Sequence, residues 1–145
     1  GAVLPSSQDA VKKYLTTIEV KIYDENGKST TMKLTVHKKL AGEFKAVFDD
    51  MYKIKFRIKA SQTAAYVWKT IIGTGTVSQH SYGLAIDINW NDNPCLSNGY
   101  GGYQPGKNQY SVTEEVISIW KAHGFYWGGD WQGKKDTMHF SYTER

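Results

Sequence analysis

The chain of 145 residues contains a single cysteine, three prolines and, among its 18 basic residues, only two arginines, Arg57 and Arg145. A lone Cys95 excludes an internal disulfide and leaves the redox compartment unread. No apolar run approaches the roughly 18 residues that cross a bilayer, and no charged-then-apolar leader opens the chain. The expectation is therefore a soluble chain with no transmembrane segment. Gly1-Ala2-Val3-Leu4 reads equally as the edge of a linker from a longer protein, so the compartment has to be inferred from function. A net charge of +4 with a pI near 9.0 is modest, and the lysines are scattered. That gives little support to a nucleic-acid partner; diffuse positive charge suits an anionic cell wall, or simply a solvated lysine surface. The length predicts one compact domain over 17–145 after a tail or linker at 1–16. Five Trp and ten Tyr are generous for this size and suit the lining of a cleft.

The informative stretch is Ser78-Gln79-His80-Ser81-Tyr82-Gly83-Leu84-Ala85-Ile86-Asp87-Ile88-Asn89. Leu84, Ile86 and Ile88 alternate with Ala85, Asp87 and Asn89, the period-two pattern of a half-buried strand with Asp87 on the side away from the core. His80 precedes this strand, and Gly83 permits the turn that folds its imidazole back toward Asp87. Near the C-terminus Met138, Phe140 and Tyr142 alternate with His139 and Ser141, so His139 can join from a neighbouring strand. Two imidazoles and a carboxylate are the donor set of a zinc site with one position open for water. Asp136 would then be the base, taking a proton from the attacking water and passing it to the leaving amine. On spacing alone, a buried polar pair explains His80 and Asp87 as simply as a metal does.

The full string is more specific. Ser78, His80, Gly83, Ala85 and Asp87, followed by His139-Phe140, resemble the S-x-H-x-x-G-x-A-x-D and x-H-F signatures of the zinc D-alanyl-D-alanine carboxypeptidase family, which also contains L-alanyl-D-glutamate endopeptidases and phage endolysins. The likeness runs from about Tyr66 through Pro94 and from about Gly124 through Tyr142. It implies that His80, Asp87 and His139 carry Zn²⁺ and that Asp136 stands at the family's catalytic acidic position, where many members have Glu. Relatives often have an arginine shortly before the S-x-H string, and this chain has Lys69 there. Arg57 or Lys69 is thus expected to hold a substrate carboxylate, which guanidinium does bidentately and ammonium does not. Ser78 is expected to hydrogen-bond substrate or a ligand. Trp131, in a segment similar to the family's G-G-D-W, is expected to wall the cleft or brace His139.

The remaining chain supplies the frame. Thr17–Tyr23 and Thr31–Val36 alternate around Asn26-Gly27 and predict a hairpin. Leu40, Phe44, Val47, Phe48 and Met51 mark one stripe of a helix, with His37 at its entry as a surface or capping residue. Ile54, Phe56 and Ile58 alternate as a further strand. Asn98–Lys107 reads as a long Gly- and Tyr-rich loop flanking the site. Ser111-Val112-Thr113-Glu114 has capping-box form ahead of a helix through Trp120, closed by His123-Gly124, and His123 is expected to face that helix end. Phe125-Tyr126-Trp127 leads on as a strand. The pattern predicts an α+β fold in which a small antiparallel sheet carries the zinc ligands and helices pack on one face, as the resemblance to DD-peptidase and Hedgehog-like folds also implies. The expected function is hydrolysis of the D-Ala-D-Ala bond in the peptidoglycan stem peptide by a monomer outside the cell or at its wall. The alternatives are a peptidoglycan endopeptidase cutting L-Ala-D-Glu or a cross-bridge, and a non-catalytic cell-wall-binding domain.

Overall fold

Alternation of apolar and polar residues builds the first layer, a hairpin of β1 (Leu15–Tyr23) and β2 (Ser29–His37), paired antiparallel from Leu15↔His37 to Tyr23↔Ser29. The computed structural model describes residues 7–68, 78–97 and 103–144. Ile18, Val20, Ile22, Met32, Leu34 and Val36 are buried on one face of the hairpin. At the turn the Asp24 carboxylate accepts hydrogen bonds from Asn26 N (2.8 Å) and Lys28 N (2.9 Å), the local side-chain bonding that makes Asp and Asn turn formers. The helix α2 (Ala41–Lys53) lays Phe44, Val47, Phe48 and Met51 into the core, at the three- and four-residue spacing of one helical face. His37 Nδ1 accepts from Lys39 N at 3.1 Å and so caps the single 3₁₀ turn Lys38–Leu40 that leads into it.

Three local expectations are corrected. Part of the stretch read as a tail is folded: α1 (Gln8–Lys12) is capped by Ser7 Oγ, Val11 is buried, and β1 starts at Leu15. One buried residue in five carries no periodicity, so nothing signalled it. Ile54–Ile58 is not a strand, because Lys55 takes φ 59° and Ile54 is exposed. Phe56 and Ile58 are nonetheless buried, and Ile58 N donates to Tyr23 O at 2.8 Å. In α3 (Glu114–Ala122) the cap is Thr113, whose Oγ1 accepts from Val116 N at 3.0 Å, whereas Ser111 Oγ turns to Asp92 O and Asn108.

The second layer is a three-stranded antiparallel sheet in the order β3 (Ala85–Asp87), β7 (His139–Ser141), β5 (Tyr126–Trp127). A short ladder joins β4 (Cys95–Leu96) to β6 (Lys135–Asp136). Ile86, Phe140 and Trp127 lie opposite one another across the sheet and enter the core. Trp120 of α3 stacks on Phe140 at 5.0 Å and meets Phe44 and Phe48 edge-on at 5.9 and 6.0 Å. One apolar cluster therefore connects hairpin, helices and sheet, and it fixes the back of β7 while leaving its other face free for chemistry. The architecture is α+β, with small antiparallel sheets and helices packed on one side. Residues 98–102 of the expected Gly- and Tyr-rich loop, and the cation Lys69, lie outside the described residues.

Candidate metal centre

Directly opposite residues of an antiparallel pair project to the same face, so the register Asp87↔His139 puts both side chains on the face turned away from Ile86 and Phe140. His80 reaches them from a 3₁₀ turn, Gln79–Tyr82, that Ser78 Oγ caps by accepting from His80 N at 3.3 Å. Gly83 ends the turn at φ 69°, and a Cβ there would stand 2.5 Å from His37 N, so both conformation and space require glycine.

Three donor atoms converge. His80 Nε2 is 3.2 Å from Asp87 Oδ1 and 3.2 Å from His139 Nδ1, and His139 Nδ1 is 3.3 Å from Asp87 Oδ1. The edge of a tetrahedron with bonds of about 2.0–2.1 Å is roughly 3.3 Å, so the triangle has the size of one face of a zinc coordination shell. The tautomer of His80 agrees. Its Nδ1 lies 2.7 Å from the Ala65 carbonyl oxygen, which can only accept, so Nδ1 carries the proton and the Nε2 lone pair points into the triangle. His139 Nε2 is buried with no hydrogen-bond partner among the described residues, while its Nδ1 faces the same point. Lone pairs crowded this way repel unless a cation sits among them. The residues present fit one, and His80, Asp87 and His139 could form a metal site. Protonated imidazoles relieve the same crowding: burial pushes the Asp87 carboxyl up, but hydrogen bonds from His139 and His80 in that form, and their charges, outweigh it and hold the group well below the usual carboxylate range.

Asp136 stands beside the triangle but supplies none of its three atoms. Burial, and then the charge of Asp87, raise its carboxyl above the ordinary value, and its Oδ1 is buried without a hydrogen-bond partner among the described residues. Its neighbours fix it firmly. Thr137 Oγ1 donates to Pro94 O at 2.6 Å, Trp127 Nε1 donates to Thr137 O at 2.9 Å, and Asp136 pairs with Cys95 across the short ladder. Cys95 is exposed at this rim, its thiol raised by burial and by the charge of Asp136. It is not among the converging ligand atoms.

The other expected site residues divide. Trp131 lies against the cluster, its ring centroid 5.3 Å from that of His139, with Nε1 donating to Glu144 O at 2.8 Å. Ser78 is buried as the cap of the His80 turn. The Arg57 guanidinium packs over the hairpin turn at Gly27 and donates to Glu25 O and Gln109 Oε1, both at 3.3 Å. Extended backbone at Arg57, bridged to Tyr23, directs the side chain toward the turn instead of the cluster.

Two positioning features went unread. The carbonyl of Ala65 acts through backbone, which no side-chain pattern reports. Asn89 ends β3 at φ 46° and is wholly buried, its Oδ1 accepting from Lys59 N at 2.7 Å and its Nδ2 donating to Arg57 O (2.9 Å) and Tyr110 O (3.1 Å). Asn tolerates that left-handed backbone better than most residues, which was the one available hint.

Residues 72–142 match the family model described as D-alanyl-D-alanine carboxypeptidase. A curated relative, the peptidoglycan L-alanyl-D-glutamate endopeptidase CwlK of Bacillus subtilis, is 37% identical over 94 residues, covering 63% of this chain and 50% of that protein. The chain thus spans about half the length of the curated relative it matches.

Proposed function

We propose that the chain is a peptidase of the D-alanyl-D-alanine carboxypeptidase family, a reading that the match over residues 72–142 supports, and that it hydrolyses an amide bond in the peptide stem of bacterial peptidoglycan, with a zinc ion held by His80, Asp87 and His139. The observation that carries this reading is the convergence of three donor atoms at 3.2–3.3 Å on the sheet face beside Asp136. When bound, zinc lowers the pKa of water and polarises a carbonyl. The chain's own residues do the rest. The Ala65 carbonyl holds His80 in the tautomer that presents Nε2. Asp136 accepts the proton of the water as its oxygen bonds to the carbonyl carbon, then gives that proton to the amide nitrogen, so the C–N bond breaks and the amine leaves neutral. The raised carboxyl of Asp136 suits a group that must take up a proton and then release it. Trp131 walls the approach to His139. The chain, with α1 and the whole of β1 included, acts as one peptidase domain, working as a monomer at the cell wall or outside the cell.

Within that reaction we favour the bond between L-Ala and D-Glu. Arg57, one of the two cations expected to hold a terminal carboxylate, is spent on the hairpin turn. The similarity to an L-alanyl-D-glutamate endopeptidase supports the same choice. The second reading, release of the terminal D-Ala, is favoured by the description of the matched family model and would assign Lys69 to the substrate carboxylate. Mass spectrometry of a five-residue stem peptide after incubation with the zinc-loaded chain separates the two. Free L-Ala with a tetrapeptide beginning at D-Glu is the expected result. Loss of the terminal D-Ala instead would select the carboxypeptidase, and an intact peptide would overturn both.

A further inference from the structure

The face that carries Asp87 and His139 continues onto β5. Tyr126 pairs directly with Ser141, two residues along β7 from His139, so its side chain rises on the same face, while Trp127 turns into the core. Tyr126 is 50% exposed, an unusual place for a large ring in an otherwise well-buried sheet. It borders a cavity of about 620 Å³ whose walls include Trp127, Trp131, Lys121, Asp130 and Glu144. Trp131 belongs to both this cavity and the cluster, since its ring also lies against His139. Cavity and cluster therefore adjoin.

The chemistry of the lining narrows the occupant. Lys121 Nζ is 2.6 Å from Asp130 Oδ2, so these charges neutralise each other. Glu144 makes no ion pair among the described residues, and the cavity is left with a slight acidic balance that repels carboxylates. What remains is aromatic surface edged by hydrogen-bonding groups, the setting for a neutral ring that is apolar on its face and polar at its rim. We propose that this cavity binds the N-acetylated amino sugar from which the stem peptide hangs. The inference rests on the peptidoglycan reading above and deepens it. A residue spans roughly 3.3–3.6 Å, so a cut after the first stem residue leaves the sugar next to the reacting bond, whereas a cut at the far end of the stem places it roughly 13 Å away. A sugar site sharing a wall with His139 thus belongs with cleavage near the sugar.

The test is a titration of tryptophan emission, with Trp127 and Trp131 as reporters, using the peptide-free disaccharide of N-acetylglucosamine and N-acetylmuramic acid with its lactyl carboxyl capped as the methylamide, uncharged as it is when the stem is attached. The parent should show a saturable change. Tyr126→Ala, an exposed position whose folding is checked by circular dichroism, should bind about tenfold more weakly, while Asp136→Asn should bind as the parent does. No saturable change with the parent, or equal affinity in Tyr126→Ala, overturns the sugar site. Because no bond is cut in this assay, the two readings fail separately. A chain that cuts stem peptide but ignores the disaccharide loses only the sugar site, and one that binds the disaccharide but cuts nothing loses the peptidase reading.

Discussion

A Cβ placed on Gly128 would stand 2.3 Å from the carbonyl oxygen of Asp136, so the acidic residue occupies space that only a glycine leaves open. The obstacle is backbone, which cannot swing aside as a side-chain tip can. Gly128→Ala should therefore push Asp136 off its position, at a cost of about 1–3 kcal/mol in stability. The expected outcome is hydrolysis reduced about 100-fold or more with zinc content kept. Steady-state kinetics beside elemental analysis checks it, and an active Gly128→Ala would show that Asp136 needs no such support.

Removing the base while keeping its shape gives a cleaner result. Asp136→Asn should retain zinc yet lose about 100-fold or more in kcat/KM, because an amide cannot accept the water's proton. If zinc and activity fell together, Asp136 would be a ligand. The pH profile carries the sign: the base works ionised, so kcat/KM of the parent should fall on acidification as Asp136 takes up a proton. An Asp136→Asn variant whose residual activity keeps the parent's acid limb would contradict this assignment.

His123 provides a stability test away from the site. Its two ring nitrogens lie 3.1 Å from Asp50 and 3.0 Å from Glu43, joining α3 to α2. Asp50 and then Glu43 raise its pKa against a smaller opposing effect of burial. A raised folded-state pKa means the contribution is complete below the unfolded value, near 6.5, and is lost as pH rises through the folded value. All three groups are partly exposed, so the effect should stay under about 1 kcal/mol, a few degrees in Tm. Melting curves from pH 6 to 9 should show the parent losing those degrees and His123→Gln losing none.

Asn89 should matter more than its small size implies. Truncation to Ala strands Lys59 N and Arg57 O, and leaves Tyr110 O with Asn93 Nδ2 alone, close to the strand that carries Asp87. Unpaired buried groups cost about 1–3 kcal/mol each before any relaxation, so a loss of several kcal/mol is expected. The urea midpoint measures it, and a shift below about 1 kcal/mol would mean water replaces the lost contacts.

How much of this was legible in the sequence depends on whether a residue acts locally. The hairpin was readable because alternation and Asn26-Gly27 agree, and α2 because Phe44, Val47, Phe48 and Met51 repeat at helical spacing. His80, Gly83 and Asp87 fall in one short segment, so their turn and strand could be argued from pattern alone. The pairing of Cys95 with Asp136 could not, since two-residue strands carry no period. The fate of Arg57 was decided by the distant Glu25 and Gln109, and its charge had suggested a different use. Ser111 had the better capping signature, but it was drawn to Asp92 and Asn108, and Thr113 took the helix end.

The central claim is that His80, Asp87 and His139 form one metal centre, and elemental analysis of the purified chain after zinc reconstitution and removal of free metal tests it most directly. The account expects about one zinc per chain in the parent and little in His139→Ala, because two remaining ligands hold zinc weakly. Zinc well below one per parent chain, or a His139→Ala variant that retains the parent's content, would contradict it.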